Sequence, residues 1–235
     1  MTIIKNLSSV TNRIERAAIK AHRPPQSIQL LAVSKTWPAK ALRIAASSGQ
    51  TAFGENYLQE ALQKIDQLQD LKISWHFIGP IQSNKTKDIA EHFDWAQSID
   101  RLKIAQRLAR QRPLDAQPLN VCIQVNIDNE DTKAGVSEQG LLALAADIDA
   151  LMQLKLRGIM VIPSKENTLS QQHIAFQKAY ALYRQLADTY PSVDTLSMGM
   201  SADLDAAIAE GSTMVRIGSA IFGQRATPTQ AGEVN

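Results

Sequence analysis

Strand-like and helical segments alternate along this chain, and that alternation constrains the fold more than any other feature. Eight strand-like segments are predicted, at 28–34, 51–54, 74–79, 95–99, 119–127, 155–162, 195–199 and 213–218. Helices are predicted after every strand but the last, at 39–47, 57–69, 84–92, 101–111, 138–152, 171–190 and 203–209. Strands joined through helices pair in parallel, so eight such units predict an α/β fold with a closed (β/α)8 barrel, the TIM barrel. An open, doubly wound sheet is the alternative.

A further helix is predicted in front of the barrel. The apolar spacing over residues 4–18 suits an amphipathic helix, and Pro24 and Pro25 would end the segment that contains it. No linker or low-complexity stretch divides the chain, and the residues from about 226 onwards are typical of a flexible tail. We therefore predict one domain over residues 1–235.

Charge and cysteine content argue against several classes of function. The 25 basic and 23 acidic residues give a formal charge of +2, and no basic stripe is interleaved with aromatic residues, so no nucleic-acid partner is expected. No export signal or long apolar stretch is visible, so no membrane partner is expected either. The lone cysteine, Cys122, excludes an internal disulfide and is typical of a cytoplasmic protein. Its apolar neighbours indicate a core residue rather than a catalytic thiol.

One lysine stands where the first predicted strand opens into a loop. In "LLAVSKTWP" (30–38) an apolar run leads to Lys35, and Pro38 then stops the strand. In a (β/α)8 barrel the carboxyl ends of all strands meet at one face, where the chemistry takes place. A lysine amine at that face can form a Schiff base with an aldehyde. The alternative is a lysine that simply extends into solvent.

Two loops with glycine and serine follow the last two strands. "SMGMSADLDAAI" contains Ser201, and "VRIGSAIFG" contains Gly218 and Ser219. Barrels often bind phosphate through the loops after strands seven and eight, although such residues are also common at ordinary strand ends. Asp203 and Asp205 lie in the first turn of the next helix, and phosphate would tolerate them only if their carboxylates point away.

A lysine that forms a Schiff base and a phosphate site at the same face together favour pyridoxal 5′-phosphate, which has an aldehyde at one end and a phosphate at the other. Arg216 lies two residues before Gly218 and would project from the same side of strand eight. Beside the ring nitrogen, its positive charge would keep that nitrogen unprotonated and make the ring a poor electron sink. The alternative is an arginine paired with a carboxylate inside the barrel.

Five segments resemble the signature segments of the YggS/PROSC family of pyridoxal phosphate homeostasis proteins: "AVSKTWP", "FGENYLQE", "WHFIGPIQSNK", "SMGMSADLDAAI" and "VRIGSAIFG". The resemblance runs from the first predicted strand to the last. It implies a barrel similar to the N-terminal domain of alanine racemase, with pyridoxal 5′-phosphate bound covalently to Lys35.

The same resemblance implies roles for further residues. Arg216 would lie near the pyridine nitrogen, and Asn56 and His76 match positions that line the mouth of the cofactor site. Without the family, Asn56 would be interpreted as a helix N-cap and His76 as a core or rim histidine. The phosphate would be held by three residues, with the backbone of Met200 nearby: Ser201, Gly218 and Ser219.

Lys133, in "NIDNEDTKAGV" after strand five, is a candidate second amine. It could pass the cofactor to or from Lys35 by exchange of the Schiff base. The alternative is a solvated loop lysine next to Asp131.

No plausible second acid–base group accompanies Lys35 at the predicted face. Racemases with this barrel take such a group from a β-rich second domain and a dimer partner, and this chain ends with its barrel. We therefore expect a non-catalytic, monomeric protein that stores pyridoxal 5′-phosphate and delivers it to apo-enzymes, and the resemblance implies effects on amino-acid and keto-acid balance. The alternatives are a pyridoxal phosphate-dependent racemase or decarboxylase, and a barrel that binds sugar phosphates without an aldehyde cofactor.

Overall fold

The structure, a computed structural model, describes residues 2–128, 130, 134–164 and 168–224. Lys133 and the predicted tail from about 226 lie outside the described residues. Within the described ranges, eight parallel strands form a closed barrel in sequence order, which confirms the predicted TIM barrel and excludes the open sheet. Closure is made by β1 (Gln29–Val33) and β8 (Met214–Ile217), which pair from Gln29↔Met214 to Ala32↔Ile217.

The other strands are β2 Ala52–Glu55, β3 Ser74–Phe77, β4 Trp95–Ile99, β5 Leu119–Val125, β6 Leu154–Val161 and β7 Thr195–Ser197. The helices are α1 Thr2–Lys20, α2 Ala39–Ala46, α3 Leu58–Gln67, α4 Thr86–His92, α5 Leu102–Gln111, α6 Glu138–Asp149, α7 Leu169–Thr189, α8 Leu204–Ala209 and α9 Ser219–Phe222. Short 3₁₀ helices, Pro25–Ser27 and Ser83–Lys85, precede β1 and α4.

Every predicted element is present with its ends shifted by a few residues, but a helix also follows the last strand. The prediction that β8 has no helix after it is therefore wrong. Helix α9 has only four residues, which is too short for a 3.6-residue period to be visible in the sequence. No helix within the described ranges combines the length and apolar character needed to cross a bilayer.

Side chains alternate between the two faces of each strand, which gives the molecule two interiors. Ala32 and Phe53 face outward and join the large hydrophobic cluster between the barrel and its helices. Leu31, Ala52 and Met214 form a small separate cluster inside the barrel. Polar side chains also lie on this inner face, among them His76, Gln97 and Arg216.

Helix α1 binds the two helices that follow the last strands. It packs on α8 and α9, and Asn6 Nδ2 donates a hydrogen bond to Ile221 O at 3.0 Å. Arg13 Nη1 donates to Ser201 O at 2.8 Å, and its guanidinium also forms an ion pair with Asp205. The first helix of the chain thus supports both loops that were predicted to bind phosphate.

Strand β6 contains a bulge. Val121 pairs with Leu156 while Cys122 pairs with Gly158, so β6 holds one extra residue at this point. Gly158 has φ +143°, and a Cβ atom there would lie 1.9 Å from Thr195 O in the neighbouring strand. Only glycine lets β6 and β7 approach this closely.

We expect Gly158→Ala to lower the free energy of unfolding by roughly 3 kcal/mol or more, because it adds backbone strain and a clash with the backbone of β7. Urea denaturation measures this loss. Gly49→Ala is the matched control: Gly49 has φ +90°, but no neighbouring side chain or backbone of the described residues lies within 4 Å of the added carbon, so only about 1 kcal/mol of conformational strain is expected. Equal losses for the two variants would show that the bulge is not crowded.

Candidate functional site

A cavity of about 500 Å³ opens at the carboxyl ends of the strands. This volume lies within the range of small-molecule and cofactor sites. Seven of the eight residues predicted from the sequence line it: Lys35, Asn56, Met200, Ser201, Arg216, Gly218 and Ser219.

The pairing of β1 with β8 brings the two ends of the site together. Leu31 is opposite Arg216 in the register, and alternation places Val33 on the same inner side as Leu31. Lys35 follows in the turn after β1 and lines the cavity. A Cβ atom on Gly218 would lie 3.0 Å from Val33 O, so a side chain there would push the loop after β8 away from β1. Because Gly218 has no side chain, this loop can lie beside the end of β1, two residues before Lys35.

Arg216 is buried at the base of the cavity, with 6% of its surface exposed. Its Nη1 donates to Ser197 Oγ at 2.8 Å and its Nη2 donates to Val161 O at 2.9 Å, so both acceptors are uncharged. Burial lowers the pKa of the guanidinium to about 10, against a smaller opposing effect of Asp203. Arg216 therefore remains a cation at neutral pH without a carboxylate as the acceptor of either bond.

A chain of hydrogen bonds leads from Arg216 through the barrel interior. Ser197 Oγ donates to Gln97 Oε1 at 2.7 Å, and Gln97 Nε2 donates to His76 Nδ1 at 2.9 Å. Because Nδ1 accepts, the neutral imidazole carries its proton on Nε2, which lies 3.2 Å from Ser74 Oγ. Arginine can only donate, so its position at the head of the chain fixes the direction of the bonds that follow.

His76 lies inside the barrel, whereas the family resemblance implied a place at the mouth of the cavity. It is completely buried and stacks on Trp95 with a centroid distance of 5.0 Å. Side chains two residues apart share a face of a strand, and Ile78 occupies the position at the cavity wall. His76 therefore lies one layer deeper, so the alternative of a core histidine agrees with its burial.

Burial lowers the pKa of His76 to about 3, which predicts a specific loss of stability in acid. Below pH ~6.5 the unfolded chain takes up a proton on His76 while the folded chain does not. His76 should therefore lower the free energy of unfolding by about 1.4 kcal/mol for each pH unit between there and the folded pKa. Above pH ~6.5 it should have no such effect.

Urea denaturation between pH 7 and 4.5 tests this expectation. The wild type should lose about 2–3 kcal/mol more than His76→Gln over this range. His92→Gln is the control, because His92 is exposed in the folded protein and should leave the slope as in the wild type. Identical pH slopes for wild type and His76→Gln would contradict a neutral, buried His76.

The loop after β7 contributes Met200 and Ser201 to the cavity lining. Met200 N donates to Asp203 Oδ1 at 2.5 Å, so this amide is already occupied and the contribution of Met200 to the cavity is its place in the lining. Asp205 is paired with Arg13. Both carboxylates that would oppose a phosphate are thus engaged by groups of the protein itself, while Ser201 lines the cavity.

Asn56 has a buried side-chain oxygen, Oδ1, without a hydrogen-bond partner among the described residues. It is not the N-cap of α3, since Tyr57 occupies that position. A buried acceptor without a donor costs free energy and calls for an explanation. Because Asn56 lines the cavity, a bound molecule or a water could supply the missing donor.

Sequence reasoning missed six residues of the cavity lining, among them Trp37. Trp37 stacks on Phe222 of α9 with ring centroids 5.9 Å apart, so it connects the loop after β1 with the segment after β8. Its position two residues after Lys35 could have identified it from the sequence as a residue of the site. The other five residues are small or aliphatic and gave no such signal: Val33, Ile78, Ile162, Ala202 and Gly223.

Cys122 lies in the barrel interior and is completely buried. Burial raises the pKa of its thiol to about 12, which keeps it protonated and unreactive. The interpretation as a core residue is confirmed. No group of three or more His, Cys, Asp or Glu side chains able to hold a metal is found in the part of the chain that the structure describes.

Comparison with known proteins identifies similar sequences and folds. Residues 6–226 match the family model of the alanine racemase N-terminal domain. The chain is 55% identical over 224 residues to the pyridoxal phosphate homeostasis protein of Pseudomonas aeruginosa, covering 95% of this chain and 96% of that protein.

Solved structures agree with the sequence comparison. Structures of PipY from Synechococcus elongatus PCC7942, without PLP and with PLP bound, match with TM-scores of 0.83 and 0.80 at 38% and 36% identity, covering 94% of this chain and 100% of PipY. Alanine racemase of Clostridium difficile 630 matches with a TM-score of 0.74 at 13% identity over 96% of this chain and 58% of that chain. This last likeness concerns the fold alone.

Proposed function

This chain belongs to the family of pyridoxal phosphate homeostasis proteins, and on that premise we propose that it binds pyridoxal 5′-phosphate in the cavity, attached covalently to Lys35, and holds it for delivery. One observation carries the proposal: Lys35, Arg216 and the Ser219 loop line a single cavity. As partners we propose the cofactor itself and the apo-enzymes that receive it, with the protein acting as a monomer.

Each end of the cofactor finds a matching group in this cavity. Pyridoxal 5′-phosphate supplies an aldehyde that condenses reversibly with a primary amine, with loss of one water, and carries a phosphate at its other end. Lys35 provides the amine. Ser201 and Ser219 provide hydroxyl donors for the phosphate, and Gly218 leaves room for close approach of the backbone.

Two further residues support the fit. Arg216 remains protonated and can only donate, so beside the ring nitrogen it would keep a proton off that atom. Asn56 Oδ1, buried and without a partner among the described residues, is an acceptor for a donor group on the bound cofactor. His76 is not proposed as a contact, because it lies below the cavity wall.

We further propose that the protein is a carrier and not an enzyme. Among the described residues of the cavity lining, Lys35 and Arg216 are the ones with ionisable side chains. A racemase needs acid–base groups on both faces of the substrate carbon, and Arg216, with a pKa of about 10, cannot accept a proton near neutral pH.

Borohydride labelling tests covalent attachment. The wild type incubated with pyridoxal 5′-phosphate should acquire a visible absorption band that borohydride bleaches, and peptide mass spectrometry should find the reduced pyridoxyl group on Lys35. Lys35→Ala should reduce labelling of the active-site peptide at least tenfold, because the attacking amine is gone. Lys40→Ala, a change at an exposed lysine of α2, should label like the wild type. Unlabelled wild-type protein would refute the proposal.

A carrier should release its cofactor to an acceptor without acting on amino acids. Loaded protein mixed with an apo-enzyme that requires pyridoxal 5′-phosphate should restore the activity of that enzyme. In deuterated water, loaded protein should exchange the α-proton of free amino acids no faster than the free cofactor does. Faster exchange that disappears in Lys35→Ala would favour the racemase or decarboxylase alternative.

A further inference from the structure

A buried lysine contacts the main chain next to Lys35. Lys64 of α3 is 4% exposed, and its Nζ donates to Glu55 Oε1 at 2.7 Å and to Ser34 O at 2.8 Å. It also forms an ion pair with Glu60. One ammonium thus joins two carboxylates to a main-chain carbonyl next to Lys35.

The two carboxylates also contact this segment directly. Ser34 Oγ donates to Glu55 Oε1 at 2.6 Å, and Thr36 N donates to Glu60 Oε1 at 2.6 Å. The residues before and after Lys35 are therefore each held by a carboxylate that is itself paired with Lys64.

Thr36 needs such support because its backbone is strained. Its φ is +70°, in the left-handed region that a β-branched residue rarely adopts. The hydrogen bond from its amide to Glu60 is a contact that a relaxed conformation would lose. The left-handed turn directly after Lys35 is thus held by a side-chain oxygen of α3.

The burial of the Glu55 carboxylate has a cost in folding free energy. Glu55 is completely buried, and its Oε2 has no hydrogen-bond partner among the described residues. Burial raises the pKa of Glu55, against the opposing effects of Lys64 and Ser34. A buried ion pair often contributes no more stability than apolar residues of the same size, so stability alone is a weak reason for this network.

We propose that Glu55, Lys64 and Glu60 form a positioning network that fixes the main chain on both sides of Lys35 and so sets the direction in which its amine enters the cavity. The inference rests on the proposed attachment of an aldehyde to Lys35. Within the described residues, none of the three lines the cavity, so they act through the backbone of Ser34 and Thr36 and not by contact with the bound molecule.

Glu60 gives the clearest test because it is the most exposed member of the network, with 29% of its side chain accessible. Glu60→Ala removes the acceptor for Thr36 N, whereas Glu60→Gln keeps a side-chain oxygen in the same place. Glu91→Ala is the matched control. Within the described residues, the one ion pair of Glu91 is a surface pair with Lys87 at 3.8 Å.

Each apo-protein is mixed with pyridoxal 5′-phosphate, and the rate of covalent attachment is followed by visible absorbance and by borohydride trapping at Lys35. The pH dependence of the absorption band and the urea midpoint of the apo-protein are measured in parallel. We expect Glu60→Ala to slow attachment about tenfold or more, since misplacing a reacting group is costly. Glu60→Gln should restore most of the rate, and Glu91→Ala should match the wild type.

The outcomes separate this inference from the proposed function. A wild type that is not labelled would refute the proposed function itself. A labelled wild type with Glu60→Ala reacting at the same rate would refute the positioning network alone. Equal slowing in Glu60→Ala and Glu60→Gln would also overturn it, because the acceptor oxygen for Thr36 would then be irrelevant. Glu60→Ala could also react slowly because the variant is less stable. A lower urea midpoint together with an unchanged pH dependence of the absorption band would indicate such general destabilisation and count against positioning.

Discussion

The hydrogen bonds between β1 and β8 close the barrel, and the candidate site depends on them more than on any other contact. They join strands from opposite ends of the sequence, with Leu31 opposite Arg216. The same register places the loop after β8 against the end of β1, where Gly218 meets Val33. A lysine and a pair of serine loops that are far apart in sequence therefore line one cavity.

Two systems of buried charge lie on opposite faces of the strands near this closure. Inside the barrel, Arg216 is satisfied by neutral acceptors and heads a chain of hydrogen bonds that continues to His76. Between the barrel and α3, Lys64 pairs with Glu55. The inner system places a cation at the base of the cavity, and the outer system forms hydrogen bonds with the main chain on both sides of Lys35. In both systems the cost of burying a charge is offset by hydrogen bonds next to a residue that lines the cavity.

Much of this site could be predicted from the sequence because it lies at the ends of apolar strands. Lys35 was identified because an apolar run ends on a charged residue, and the two loops because glycine and serine follow the last strands. The depth of His76 could not be predicted, since alternation gives the face of a strand but not the layer. The contact between Glu55 and Lys64 was also missed, because it joins a strand to a helix and only tertiary packing determines which side chains meet there.

Helix α1 adds a temporal constraint to the assembly of the site. It binds the loop after β7 through Arg13 and the segment after β8 through Asn6, across 188 and 215 positions of the sequence, so α1 gains these contacts only after the loops that follow β7 and β8 have been made. Such long-range contacts form late in folding. A partly synthesised chain would therefore expose Lys35 without the serine loops, and the cavity would exist only once the barrel is complete. The cavity is thus completed only when β1 and β8 pair.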